Sequence, residues 1–371
     1  PALEGSPLQL SIDLSTQAAT RQVLEDGMRF TNAKGASAIL MNIHTGEILS
    51  LVSLPDFDPN NRPHDAVFGD ASDSPLFNRA AQGLYELGST FKIFTAATSL
   101  EKGLANPQTI IDTTPFKWNR KTFRDYRDYG PINTMEDVIM KSSNTGTIRM
   151  ALAAGSISQQ DTLKDLGFFE AVPVELGEAS RTKPLIPKNW SDSSTITISY
   201  GHGISATPLH LATAYSIISN GGYQVKPTLK RLKFNNSRGK KIISEKTSKQ
   251  LVSMLRRVVS EEKGTASMGE VVGYEVAGKT GTANKPSPTG GYYDKKVIAT
   301  FASVFPASKP KYTLIVSLDE PEFYALGEKR RAAGWTAVPV AAEIISRVAP
   351  ILNLRPIMPN LQVTYTSLRS Q

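Results

Sequence analysis

Glu86-Leu87-Gly88-Ser89-Thr90-Phe91-Lys92-Ile93-Phe94-Thr95-Ala96-Ala97 is the stretch on which the fold turns. Ile93, Ala96, Ala97 and Leu100 recur at helical spacing, so a buried helix begins near Ser89, just after a glycine. Positions i and i+3 share one helix face, which puts Ser89 and Lys92 side by side. At a helix N-terminus the dipole favours developing negative charge on the Ser89 hydroxyl. Ser99, Ser180, Ser237, Ser260 and Ser308 are also followed three residues later by Lys. Ser99, however, stands at the far end of the same helix, and the other four sit in Gly-, Pro- or Lys-rich polar stretches.

Working outward, Leu8 to Asp13 reads as a short strand and Ser15 to Met28 as an amphipathic helix. Ser37 to Ile43 and Glu47 to Leu54 are β-rich runs joined at His44-Thr45-Gly46, a hairpin signal. Pro55 to Ser74 reads as an irregular surface excursion. From about Ser89 to about Arg257 the chain is mostly helical, with coil between helices. Thr134 with Asp137 resembles a capping box, Thr207-Pro208 places Pro at a first helical position, and Gly103, Gly155 and Gly221-Gly222 mark helix ends. Strands return at Val272 to Thr282, Val297 to Phe305 and Tyr312 to Asp319, before a closing helix over about Gly334 to Val348. The pattern predicts an α+β fold: one antiparallel sheet of about five strands, covered by helices and interrupted by a large helical insertion. The residues from Leu354 to Gln371 carry no assignable element.

Composition narrows the chemistry. A chain of 371 residues with 40% apolar side chains can bury a substantial core. With no cysteine there is no thiolate nucleophile or disulfide. His44, His64, His202 and His210 form no zinc-binding spacing, so neither metal nor organic cofactor is called for. The net charge of +8 favours acidic partners such as a carboxylate-bearing polymer, while the absence of basic runs argues against nucleic acid. No stretch reaches the roughly 18 apolar residues of a membrane span.

A lysine serves as a base only when desolvated or beside another cation, which makes a second lysine informative. Lys279-Thr280-Gly281-Thr282 holds the one Lys-Thr-Gly of the chain, at the end of an apolar β run. Gly281 would let that strand approach the serine helix closely, and the N–H groups of Thr282 and Ser89 would share an oxyanion. Between the two lysines stands the one Ser-x-Asn, Ser142-Ser143-Asn144, after a short helix from Met135 to Met140. Ser142 can relay a proton among Lys92, Lys279 and a leaving amine, and Asn144 can hold a substrate amide.

Ser-x-x-Lys, Ser-x-Asn and Lys-Thr-Gly in this order resemble the signature of penicillin-binding proteins and serine β-lactamases. Leu8 to Asp13, Asn78-Arg79-Ala80, Tyr200-Gly201-His202-Gly203, Ala277 to Asn284 and Phe305-Pro306-Ala307 extend the likeness to class B penicillin-binding proteins, most of all their cell-division transpeptidases, over essentially the whole chain. Leu87 departs from the proline usual before Gly-Ser. The resemblance implies a peptidoglycan D,D-transpeptidase. Ser89 would be acylated by a stem peptide, Lys92 would be the base, Ser142 the relay, Lys279 the group orienting Ser142, and Asn144, Thr280, Gly281 and Thr282 the substrate cradle. It further implies one transpeptidase domain over 1–371, with a sheet part (about 8–75 and 265–350) and a helical part (about 76–264). A membrane anchor and pedestal would precede it, at the periplasmic face of the inner membrane. Peptidoglycan stem peptides, β-lactams bonded to Ser89, divisome membrane proteins and a glycosyltransferase are the expected partners.

Competing readings remain. A D,D-carboxypeptidase or β-lactamase would use the same serine for hydrolysis, although the Glu-x-x-Leu-Asn pattern of class A β-lactamases is absent. A non-catalytic β-lactam sensor would be acylated without turnover. Gly273 to Thr280 literally satisfies a phosphate-loop pattern, but a strand-like sequence with Gly281 and Pro286 follows where a helix is required. Trp118 to Tyr129 mixes cations and aromatics and reads as a solvated rim loop, and Pro286 to Tyr293 as a flexible hairpin tip beside the cleft.

Overall fold

The computed structural model describes residues 5–63, 71–233 and 238–357. Five antiparallel strands form the central sheet in the order Ile48–Leu54, Gly35–Asn42, Tyr312–Asp319, Tyr292–Phe305 and Ala277–Pro286. Runs such as Ala-Ile-Leu-Met and Leu-Ile-Val-Ser-Leu are buried at successive positions because both faces of the sheet are covered. Helices Leu14–Phe30 and Ala337–Ile351 pack together against it. A second pair, Pro208–Ser219 and Glu245–Ser260, also packs on the sheet. All 12 residues of Pro208–Ser219 are buried, which marks a helix enclosed on every side.

The hairpin at His44 to Gly46, the Met135–Met140 helix capped by Thr134, and the helix beginning at Thr207-Pro208 stand as the sequence indicates. Gly46 takes φ +77° and lies where a Cβ would stand 2.1 Å from the Lys226 carbonyl oxygen. The helical insertion leaves the sheet after Leu54 and returns at Ala277. Its members include Lys92–Glu101, Asn144–Ala154, Ser156–Asp165 and Asp192–Ser199.

Several expectations need correction. Leu8 to Asp13 forms no strand, only an isolated bridge of Leu10 to Lys230. Residues 272–276 are a turn rather than a strand start, because Gly273 (φ +86°) and Glu275 (φ +43°) break the pleat. Ala277–Pro286 is then a strand throughout, so no helix begins at Lys279-Thr280 and the phosphate-loop reading fails. The stretch after the serine helix is not all helix and coil: Phe116–Trp118 pairs with Lys121–Phe123 around Asn119 (φ +52°), and Ile110–Asp112 pairs with Ile132–Thr134. Ser89 lies in a 3₁₀ turn, Gly88–Phe91, and the α-helix starts only at Lys92. Gly88 (φ +54°) and the Thr90 hydroxyl, donating to the Leu87 carbonyl at 2.9 Å, hold that tighter turn. His64, Ser237, part of the Pro55 to Ser74 excursion and most of the C-terminal stretch lie outside the described residues.

Candidate active site

The 3₁₀ turn serves the serine and lysine well, because side chains at i and i+3 eclipse one another in it. The Lys92 N–H bonds back to the Ser89 carbonyl, and the Thr90 carbonyl accepts from the buried Tyr215 hydroxyl at 2.9 Å. Ser89 itself is half-buried, and its hydroxyl makes no hydrogen bond among the described residues, which leaves it open to a substrate. Lys92 is fully buried, and burial drives its amine down to about 7, against the opposing pull of Asp125. Such an amine is partly neutral near pH 7 and able to accept a proton.

Lys92 Nζ donates to Ser142 twice, to the carbonyl oxygen at 2.5 Å and to Oγ at 3.0 Å. Ser142 adopts φ +62°, a left-handed conformation uncommon for serine that turns the residue toward the lysine. The loop is held from behind by Asp125. Its carboxylate accepts from Ser143 Oγ and the Asn144 N–H, both at 2.6 Å, from the Thr145 N–H at 3.0 Å and from Thr145 Oγ1 at 3.2 Å. Ser143 also caps the following helix through its bond from the Gly146 N–H. Asp125 is the site residue that sequence reading missed. Nothing local distinguishes it from Asp128, and the reading of Trp118 to Tyr129 as a solvated rim is wrong at this position. The Asn144 side chain donates to the Arg124 carbonyl at 3.4 Å.

The edge strand brings the third motif. A Cβ on Gly281 would stand 2.2 Å from the Leu87 carbonyl oxygen and 2.8 Å from Thr90 Cγ2, so the strand lies directly on the serine turn. Gly88 faces the same strand, with its Cβ direction 3.2 Å from the Thr282 oxygen and 3.4 Å from the Thr282 nitrogen. Lys279 is fully buried; burial lowers its amine well below the ordinary lysine value, and the charge of Lys92 adds to that shift. It donates to the Thr280 carbonyl at 3.3 Å rather than to Ser142. Thr280 Oγ1 meets Thr265 Oγ1 at 2.7 Å, and Thr282 Oγ1 accepts from the Ala333 N–H at 2.9 Å.

One wall of the cleft is cross-linked. Glu86 accepts from the Gly203 N–H at 2.7 Å and from the Tyr292 hydroxyl at 2.9 Å, and His202 Nδ1 lies 2.9 Å from its other oxygen. Burial pushes the Glu86 carboxyl up, but the bonds from His202, Gly203 and Tyr292 outweigh it and the net shift is downward. The hairpin tip beyond Pro286 is thus tied down through Tyr292. Gly201 has φ +84° and would place a Cβ 1.9 Å from the Gly88 carbonyl oxygen, so only glycine fits there.

This fold and this convergence of serine, lysines and Ser-x-Asn loop define a class: residues 36–346 match the penicillin binding protein transpeptidase domain, and the chain belongs to that family. It is 36% identical to the probable peptidoglycan D,D-transpeptidase FtsI of Caulobacter vibrioides, covering 95% of this chain and 60% of that protein. To the peptidoglycan D,D-transpeptidase FtsI of Escherichia coli K12 it is 32% identical, over 94% of this chain and 57% of the relative. The chain therefore spans about three-fifths of the length of these curated relatives. Among solved structures, the transpeptidase domain of Burkholderia pseudomallei penicillin-binding protein 3 superposes with a TM-score of 0.82 at 29% identity, covering 96% of this chain and all of that one. Penicillin-binding protein 3 of Mycobacterium tuberculosis, solved with aztreonam, gives 0.83 at 27% identity over 96% of this chain and 81% of that one.

Proposed function

We propose that this chain is the transpeptidase domain of a peptidoglycan D,D-transpeptidase acting in septal cell-wall synthesis. The observation that carries the reading is the buried Lys92 amine, one eclipsed turn from Ser89 and bonded to Ser142 Oγ at 3.0 Å. Ser89 Oγ attacks the penultimate D-Ala carbonyl carbon of a stem peptide as its proton passes to Lys92 Nζ. The N–H groups of Ser89 and Thr282 hold the oxyanion. The C–N bond breaks, terminal D-Ala leaves with a proton delivered through Ser142, and the acyl group stays on Ser89. A neighbouring stem's amine then attacks that ester, gives up a proton by the same route and releases Ser89.

In this scheme an arriving terminal carboxylate opposes the burial and the Lys92 charge that lower the Lys279 amine, so Lys279 takes up a proton, attracts the carboxylate and biases Lys92 and Ser142 electrostatically. Thr280 and Thr282 bind the carboxylate and acyl chain, Gly281 admits the strand, and Asn144 holds the substrate amide. β-Lactams enter as stem-peptide mimics and stay bonded to Ser89. The family membership and the FtsI relatives support the reading, and they support one transpeptidase domain with sheet residues about 8–75 and 265–350 around helical residues about 76–264. In this reading the protein works at the periplasmic face of the inner membrane, beside divisome proteins and a glycosyltransferase. Among the described residues no helix is long and apolar enough to cross a membrane.

Incubation with a labelled penicillin, followed by intact mass and peptide mapping, tests this function. One slowly released adduct on Ser89 is expected. An adduct at another residue would overturn the site, and release within seconds would favour a β-lactamase.

A further inference from the structure

Resting on that reading, we propose that the hairpin Phe116–Trp118/Lys121–Phe123 and the loop through Tyr129 form a docking surface for a carboxylate-bearing strand of the peptidoglycan substrate, next to the acylated serine. Between Phe116 and Tyr129 stand Lys117, Arg120, Lys121, Arg124 and Arg127 against Asp125 and Asp128. Of the two acids, only Asp125 turns inward; Asp128 is exposed and bonded within its own loop, so five cations face one exposed acid. Asp125 is bonded to Ser143, Asn144 and Thr145, and Asp128 accepts from the Gly130 N–H at 2.9 Å. The neighbouring Asp112 is paired with Arg149 at 2.8 Å, and that guanidinium covers Phe116 at 5.3 Å.

The cations are left over. Lys121 lies over Phe123 at 4.9 Å, while the side chains of Lys117, Arg120, Arg124 and Arg127 make no hydrogen bond or ion pair among the described residues. Aromatic faces stand among them: Phe116 and Trp118 are stacked at 6.3 Å, and Tyr126 is 90% exposed. A surface of unpaired guanidinium and ammonium groups beside the exposed Tyr126 ring matches a polymer that alternates stem-peptide carboxylates with sugar C–H faces. Its position fits the same substrate. Phe123 reaches Tyr200 at 6.4 Å, and the Arg124 carbonyl and Asp125 carboxylate touch Asn144. A strand seated here would feed its stem directly to the Ser142 loop.

The test compares the 371-residue chain with its Lys117→Glu/Arg120→Glu/Arg127→Glu variant in co-sedimentation with purified sacculi at low and high salt, beside acylation by a fluorescent penicillin. The variant is expected to lose at least about tenfold in sacculus retention and most of its salt dependence, because exposed charges are screened. Penicillin acylation is expected to change by less than about twofold, since the label carries no polymer. Unchanged retention by an acylation-competent variant would overturn the proposal. So would equal retention of the wild-type chain on DNA-cellulose, which would assign the patch to polyanions at large. Absence of a penicillin adduct on the wild type would instead sink the transpeptidase reading, so the two failures are distinguishable.

Discussion

Lys92 Nζ lies 3.0 Å from Ser142 Oγ and 2.5 Å from the Ser142 carbonyl oxygen, across 50 positions of sequence. Two shared contacts fix the amine where Ser89, one 3₁₀ turn earlier, can pass it a proton. Replacing Lys92 by Ala or Arg is therefore expected to cut penicillin acylation by about 10²–10⁴, because Ala has no base and Arg stays protonated. Timed labelling with a fluorescent penicillin checks this; an Arg variant retaining a tenth of the rate would rule Lys92 out as the base.

The same amine sets a pH profile. Burial holds Lys92 down to about 7, so acylation is expected to fall about tenfold per pH unit below that point and to level off above it. Stability follows with a defined sign. The unfolded chain keeps an ordinary lysine near 10.4, so between about 7 and 10.4 it binds the extra proton and the native state gains stability as pH rises. Thermal unfolding at pH 7 and pH 9 should show a larger gain for the wild type than for Lys92→Met; equal gains would contradict the buried neutral amine.

Much of this is legible in the sequence where local signals agree. Tyr312–Asp319 and Met135–Met140 can be read to the residue, because an apolar run and a Thr134 cap each point to one answer. Gly281 is readable as a close-approach position for the same reason that it is needed: no side chain fits against Leu87. What the sequence hides depends on distant partners. Asp125 matters only because a loop farther along the chain presents its N–H and O–H groups to it, and Leu8 to Asp13 has strand composition but finds only an isolated bridge. Apolar periodicity misplaces the start of the serine helix because Gly88 and the Thr90 hydroxyl decide the first turn.

Asp125 yields the next prediction. Asp125→Asn keeps the shape but loses the charge and one acceptor, which costs the Ser142-Ser143-Asn144 loop about 1–3 kcal/mol. That corresponds to roughly a tenfold to hundredfold drop in the aligned loop, and so in acylation. Removing the anion that holds Lys92 up should also move the acylation midpoint below about 7. A pH–rate profile separates the two effects; an unmoved midpoint would mean that Asp125 acts on the loop alone.

The contact between strand and serine turn makes Gly281 and Gly201 sensitive for different reasons. Gly281→Ala drives a methyl to 2.2 Å from the Leu87 carbonyl oxygen, and backbone must shift, at about 1–3 kcal/mol. Gly201→Ala adds left-handed strain to a 1.9 Å clash and is expected to be the worse of the two. Both should lower the unfolding midpoint and slow acylation. A Gly281→Ala chain with wild-type kinetics would show that the strand does not need this approach.

Glu86 joins three segments, and the variants at its ends should separate their roles. Tyr292→Phe removes a hydrogen bond to a carboxylate, about 1.5–3 kcal/mol, and frees only the hairpin tip beyond Pro286. Proteolytic nicking there should accelerate about tenfold or more, because cleavage follows the open population. Glu86→Gln weakens that bond and also loosens the turn at Gly203, whose neighbour Gly201 accepts from the Gly88 N–H at 3.2 Å beside Ser89. Acylation should therefore slow in Glu86→Gln more than in Tyr292→Phe, while nicking rises in both. Equal acylation in the two variants would place the hairpin, rather than the Tyr200 to Gly203 turn, in control of the serine.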